Sequence, residues 1–377
     1  MRVVDIELFR YRIPFKVAFS HAAATRGTGD AILIRIGTEE GVSGYGEIQA
    51  RPYVTGEAND TIWSQTAVDR SEKIIGRTIR STQDIRELVD AVCGYAAAPA
   101  LAGGFDLALH DAIELTHGLD WSREFGPLRK TPIERCLTIG ENHTGPQLER
   151  QSRMARLSGC AVVKLKVKNA GDARRIHDLR TWLGPEIAIR LDANGCMDVP
   201  EVVELLRSSA RCRIESIEEP LRKDRPDLTA ALNEVHAETG VPLVADESIC
   251  TAADVARLGE SGSYQIVNVR VGKCGGISGT RAVIDSCRKM GLKLVAGTMV
   301  GETAVLLRAS RMLLTHCEEL RYVEGLDQAR QLLEAQPILE QDAGGRAHFN
   351  RIDSLEKRYC VAVKTVPKLM ARPSPIV

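Results

Sequence analysis

The chain has 377 residues, more than a single small core needs, because domains usually run about 100 to 200 residues and barrels about 250. Fifty Lys and Arg balance fifty Asp and Glu, so there is no uniform positive field to hold a nucleic-acid backbone or an anionic membrane. Hydrophobic residues at 44% and charged residues at 27% fall in the ordinary globular range, and no apolar run reaches the roughly 18 residues a bilayer span requires.

The first residues, Met1-Arg-Val-Val-Asp-Ile-Glu-Leu, alternate charge and apolarity without the pattern of a signal peptide, which leads to the expectation of a cytoplasmic protein. Ten cysteines are scattered singly, with no CxxC pair, which suits reduced thiols. Residues 1–128 open with strand-like runs at Val3 to Arg12 and Ala31 to Ile36 and then Gly44-Tyr-Gly-Glu47. A helical stretch follows from about Trp63 to Gly118, the order of an α+β domain.

From about Ile133 the pattern changes to short apolar runs alternating with amphipathic segments. The runs are Cys136 to Ile139, Val162 to Val167, Ile187 to Leu191, Ile214 to Ile217, Leu243 to Ala245, Gln265 to Val269 and Leu292 to Ala296, with an eighth near Leu320 to Val323. Parallel strands need crossovers of a dozen or more residues, so a regular repeat is the stronger test. Lys166, Asp192, Glu218, Asp246, Lys273 and Thr298 are spaced by 26, 26, 28, 27 and 25 residues. Eight such units fill about 216 residues and predict an α/β fold: a modified (β/α)8 barrel over 129–355, capped by 1–128, with a separate C-terminal segment over 356–377.

An ionisable residue stands at or just past the end of five consecutive runs, from Val162 to Val167 through Gln265 to Val269, the face where barrel enzymes gather their catalytic groups. A lone charged strand end is usually solvated or salt-bridged, and Lys164-Leu-Lys166 alone reads as well as a guarded edge strand. Five at consecutive intervals of 26 to 28 argue for a site. Asp192, Glu218 and Asp246 supply three hard oxygen ligands with no His or Cys cluster nearby, which suits Mg²⁺, with Mn²⁺ as the other cation such a set accepts. Lys166 and Lys273, four strands apart in a ring of eight, are expected to face each other. Lys164, two residues before Lys166, would help to pull its pKa down. A divalent cation beside two lysines suits removal of a proton α to a carboxylate, where the developing charge needs stabilising.

At these residues the chain resembles the enolase superfamily, in its muconate-lactonising-enzyme subgroup. The motifs are KxK at Lys164 and Lys166, DxN at Asp192 and Asn194, EEP from Glu218, ADES around Asp246 and NVRVGKCGG through Lys273, with Phe105-Asp-Leu-Ala-Leu-His-Asp111 before the barrel. The resemblance implies that Lys166 and Lys273 are an acid/base pair, that Lys164 assists, and that Asp192, Glu218 and Asp246 hold Mg²⁺. It also places specificity in cap loops at about Phe15 to Arg26 and Arg51 to Gly56, and on strand eight. Phe19, His21, Tyr53, Thr298, Met299, Glu302, Glu324 and Asp327 become candidate contacts for a small carboxylate substrate. The implied reaction is racemisation or epimerisation of a dipeptide or N-acyl amino acid. Cycloisomerisation and β-elimination are alternatives within the family, and a non-catalytic binding protein is the alternative outside it. Neither nucleic acid nor membrane is expected as a partner, and a homo-oligomer is the assembly that analogy with such barrels suggests.

Overall fold

In the computed structural model, which describes residues 1–21, 24–259, 261–325, 339–341, 347–349 and 360–366, two sets of strands form two cores. The first is antiparallel: β1 (Val3–His21), β2 (Ala24–Thr38) and β3 (Ser43–Ile48). Val3, Ile6, Leu8, Ile32, Ile34 and Ile36 are buried with Phe105, Leu109 and Ile113 of helix Pro99–His117. The second is a closed parallel barrel of β4 (Glu134–Ile139), β5 (Val162–Lys166), β6 (Ala188–Asp192), β7 (Ile214–Glu218), β8 (Leu243–Ala245), β9 (Ile266–Val269), β10 (Lys293–Ala296) and β11 (Leu320–Glu324), neighbours in chain order. Both faces of these strands are covered, by helices outside and by side chains within, so they read as apolar runs without alternation. All eight expected strands are present.

Two regions depart from the expected organisation. In the Phe15 to Arg26 stretch, expected as a loop, the described residues extend β1 to His21 and begin β2 at Ala24, with Phe19 paired to Arg26. After the short hairpin of β12 (Leu339–Gln341) and β13 (Ala347–Phe349), β14 (Cys360–Val366) pairs antiparallel with β1, so this part of the C-terminal segment completes the cap sheet.

The cap sits on the barrel through a close backbone approach. A Cβ on Gly103 would stand 2.8 Å from the Gly276 nitrogen; within the cap, one on Gly46 would collide with the Gly104 carbonyl, so β3 lies as closely on the helix. Asp106 of the same cap helix accepts hydrogen bonds from Ile277 N (2.6 Å) and Ser278 N (3.1 Å), capping helix Gly276–Lys289 with a carboxylate where the helix dipole favours one. Gly275-Gly276 is therefore the close loop after strand six that its composition suggests, with φ of 86° and 72°.

Candidate active site

Register decides which side chains meet. Lys166 lies beside Asp192, and Asp192 beside Glu218, across β5, β6 and β7. Side chains alternate along a strand, so Lys164/Lys166, Arg190/Asp192 and Ser216/Glu218 all point into the barrel. Asn268 and Arg270, at and just past the end of β9, keep the same parity. Lys166 Nζ is 3.1 Å from Asp192 Oδ2 and donates to Asn194 Oδ1 at 2.6 Å. Lys164 Nζ lies 3.1 Å from Asp192, 3.2 Å from Glu218 Oε1 and 2.9 Å from Glu324 Oε1. Beneath them the fully buried Arg190 donates to Glu218 Oε2 at 2.8 Å and to Ser216 at 3.2 Å, with its guanidinium 4.7 Å from the Tyr322 ring centre.

Burial opposes every charge here, and the partners decide the outcome. Lys164 is desolvated, yet Asp192, Glu218 and Glu324 outweigh that and raise its pKa well above the ordinary lysine value. The carboxyl of Asp192 is pulled well below its usual range by Lys164 and Lys166 against its burial, and that of Glu218 is lowered by Lys164, Arg190 and Arg270. Glu219 and Glu247 go the other way: burial dominates, and Glu247, repelled also by Glu219, Asp192 and Glu218, is pushed up to about 8. Glu219 Oε1 accepts from the backbone nitrogens of Asp246 (2.6 Å) and Ser248 (2.8 Å), fixing the turn that carries Asp246.

Asp192, Glu218 and Asp246, all buried and all oxygen donors from neighbouring strands, are a set of the chemistry that holds a hard divalent cation. As they stand, among the described residues no three His, Cys, Asp or Glu side chains are grouped closely enough to hold one. The Lys164 ammonium and the Arg270 guanidinium lie among them: Arg270 pairs with Asp246 and is 3.9 Å from Glu218 Oε1. The three carboxylates have the chemistry of a hard-cation site, and Lys164 and Arg270 are the cations paired with them.

Above the carboxylates is a narrow cleft lined by Lys164, Lys166, Asp192, Asn194, Glu247 and Arg270 from the barrel, Thr298, Met299 and Val300 after β10, and Arg51, Tyr53 and Val54 from the cap. Tyr53 and Val54 belong to the short helix Pro52–Thr55, within the expected specificity stretch. A buried polar joint holds cap and barrel in register: Glu47 accepts from Thr303 Oγ1 (2.6 Å), Thr303 N (3.1 Å) and Leu306 N (3.3 Å), and Arg51 donates to Val300 O (3.3 Å).

The expectation for Lys273 needs correction. It is fully buried, does not line the cleft, and its ammonium is spent on the Asp246 backbone carbonyl and on Oδ1 at 2.8 Å. The strand stops at Val269 and the chain coils, with Lys273 N and Cys274 N donating to Arg270 O, so the lysine is carried beneath the site and Arg270 is left facing it. The two-residue parity of Asn268 and Arg270 was the signal available in the sequence. Two other candidates also sit differently from the expectation. Glu302 is buried away from the cleft, accepting from Met299 N at 2.5 Å. Glu324 lines the cleft, but Lys164 and Asn268 (2.8 Å) hold it. The side chains of Phe19 and His21 and the whole of Asp327 lie outside the described residues. The nine cysteines whose side chains are described are free, and no described helix is long and apolar enough to cross a membrane.

A cap closing over a parallel barrel whose strand ends carry lysines and carboxylates defines a capped-barrel enzyme of the enolase superfamily type. Residues 3–120 match the mandelate racemase / muconate lactonizing enzyme N-terminal domain, and residues 147–347 match the enolase C-terminal domain-like model. The chain belongs to this mandelate racemase / muconate lactonizing enzyme family, in its muconate-lactonising-like subgroup. It is 27% identical to a hydrophobic dipeptide epimerase of Enterococcus faecalis over 90% of this chain and 97% of that one. A solved structure of the dipeptide epimerase from that organism, complexed with Mg and L-Leu-L-Tyr, superposes with a TM-score of 0.79 at 25% identity, covering 90% of this chain and 94% of the other. An N-succinyl-L-Arg/Lys racemase of Bacillus cereus is 26% identical over 80% of each chain. An o-succinylbenzoate synthase of Thermobifida fusca is 33% identical over 59% of this chain and 69% of its own.

Proposed function

We propose that the protein is a Mg²⁺-dependent isomerase that removes and returns the proton α to the carboxylate of an amino-acid derivative, a dipeptide or an N-acyl amino acid. The observation that carries this is Lys166, an amine at the wall of a polar cleft, one register step from a row of buried carboxylates. Its Nζ is the proton acceptor, oriented by Asn194 at 2.6 Å. Asp192, Glu218 and Asp246 would hold the cation, and when bound it stabilises the negative charge that develops on the substrate carboxylate. Lys164, beside Lys166 on the cleft wall, binds the anionic substrate. Lys273 fixes the orientation of Asp246 without touching substrate. Tyr53, Thr298 and Met299 shape the substrate side of the cleft, which the cap closes against water. The similarity to dipeptide epimerases and an N-succinyl amino-acid racemase supports the substrate class.

A second reading, β-elimination or cycloisomerisation, is favoured by one feature: the cation opposite Lys166 is an arginine, and those reactions need a base on one face only. The test is incubation with Mg²⁺ in D₂O against dipeptides, N-acyl amino acids, muconates and hydroxy acids. Exchange at an α-carbon with the skeleton intact supports the isomerase. Loss of water or ring closure moves the protein to the second reading. Silence across the library, or exchange that survives in Lys166→Ala, overturns the role of Lys166.

A further inference from the structure

Epimerisation by two bases needs a proton acceptor on each face of the reacting carbon, and the cleft offers different groups on its two sides. On the β5 side is the Lys166 amine. Across the cleft, past the end of β9, is Arg270, with its side chain 12% exposed. Its guanidinium pairs with Asp246, lies 3.9 Å from Glu218 Oε1, and reaches the wall at Met299 Sδ, also 3.9 Å away. The space is made for it, because a Cβ on Gly297 would stand 3.0 Å from Arg270 Nε. Lys273, the other cation of this segment, is held below by Asp246 and has no surface in the cleft. A guanidinium is charged at any pH at which the protein is folded, so it attracts anions and does not accept a proton.

We propose that the acid–base apparatus of this enzyme is one-sided: Lys166 exchanges the α-proton on its own face, and Arg270 supplies only a fixed positive charge to the opposite face. This rests on Lys166 being the base. The C–H bond breaks with its electron pair passing into the enediolate and its proton passing to Lys166 Nζ. Collapse takes a proton back on the same face from that ammonium. On the Arg270 face the proton comes from a water molecule, which is left as hydroxide. A positioned acid–base group contributes about 10²–10⁴ in rate, so exchange with retention outruns inversion by about that factor. Such a site handles one stereoisomer quickly and its epimer slowly.

The experiment pairs wild type with Arg270→Lys, each checked for native circular dichroism. Both are incubated with Mg²⁺ in D₂O and separate L and D forms of N-succinyl amino acids, and with L,L and L,D dipeptides. Mass spectrometry reads deuterium, and chiral chromatography reads configuration. In wild type, deuterium enters one stereoisomer at least about 100-fold faster than that isomer inverts, and the epimer is nearly inert. In Arg270→Lys the ratio falls to within about tenfold, because an amine now stands on the second face. Wild type that inverts its probe as fast as it exchanges it overturns the proposal. So does a second-face exchange that vanishes in Glu247→Gln, because that cleft carboxylate would then be the other base. Silence of every probe with both proteins removes the assignment of Lys166 and this proposal with it, an outcome distinct from symmetrical exchange.

Discussion

Arg190→Met tests whether the buried charges under the cleft are as interdependent as their geometry says. The guanidinium is fully buried, donates to Glu218 Oε2 at 2.8 Å and to Ser216 Oγ at 3.2 Å, and lies against Tyr322. Methionine fills much of the volume, so little of the loss comes from a cavity. The cost comes from leaving Glu218 short of one compensating charge in the barrel interior, and breaking a buried pair by removing one partner costs about 3–5 kcal/mol. Lys164 at 3.2 Å still faces Glu218, which places the expectation toward the lower end, about 3 kcal/mol. In a chain of this size each kcal/mol moves the midpoint by about 2 °C, so calorimetry in EDTA should show the melting temperature falling by about 6 °C. The double variant Arg190→Met/Glu218→Gln removes the stranded charge and should recover at least half of that loss. A loss below about 1 kcal/mol, or a double variant less stable than Arg190→Met, would refute the argument that Arg190 is there to compensate Glu218.

Three other outcomes are expected. Asp192→Asn should weaken Mg²⁺ binding at least about tenfold in isothermal titration calorimetry, and unchanged affinity would show that this carboxylate is not a ligand. Lys273→Met should also weaken it, by about 10- to 100-fold, because the lysine orients Asp246. Any α-proton exchange should survive at saturating Mg²⁺, and its complete loss there would restore Lys273 as a base. Glu302, whose burial pushes its pKa up to about 8 from 4.5, binds its proton more tightly folded than unfolded. That contribution is fully present below pH 4.5 and is lost as pH rises toward and through 8. Glu302→Gln should therefore melt higher than wild type at pH 9 and about equally at pH 5, and an equal difference at both pH values would count against the shifted carboxyl.

The barrel was legible in the sequence for a specific reason. A parallel strand covered on both faces must be an apolar run, and its crossover helix imposes a minimum interval. Val162–Lys166, Ala188–Asp192 and Ile214–Glu218 therefore repeat visibly, with their charges at one end. Lys164, Lys166, Asp192 and Glu218 could be placed together from the interval alone, because in-register strands bring equal offsets side by side. The cap sheet was only partly legible: β14 joins β1 from more than 300 residues away, and antiparallel partners so distant leave no local spacing.

What the sequence determined by itself was the fold class, the ring of charged strand ends and the chemistry of three oxygen donors, since each depends on periodicity and residue type. Where Lys273 lies was decided only in three dimensions. Alternation still carries Arg270 to the cleft, but beyond it the chain coils and a turn of a few residues sends Lys273 under Asp246. The same holds for Glu302, which the turn after β10 directs onto the backbone of Met299. Strand geometry propagates from residue to residue, whereas the direction of a side chain in a turn is set by what packs around it.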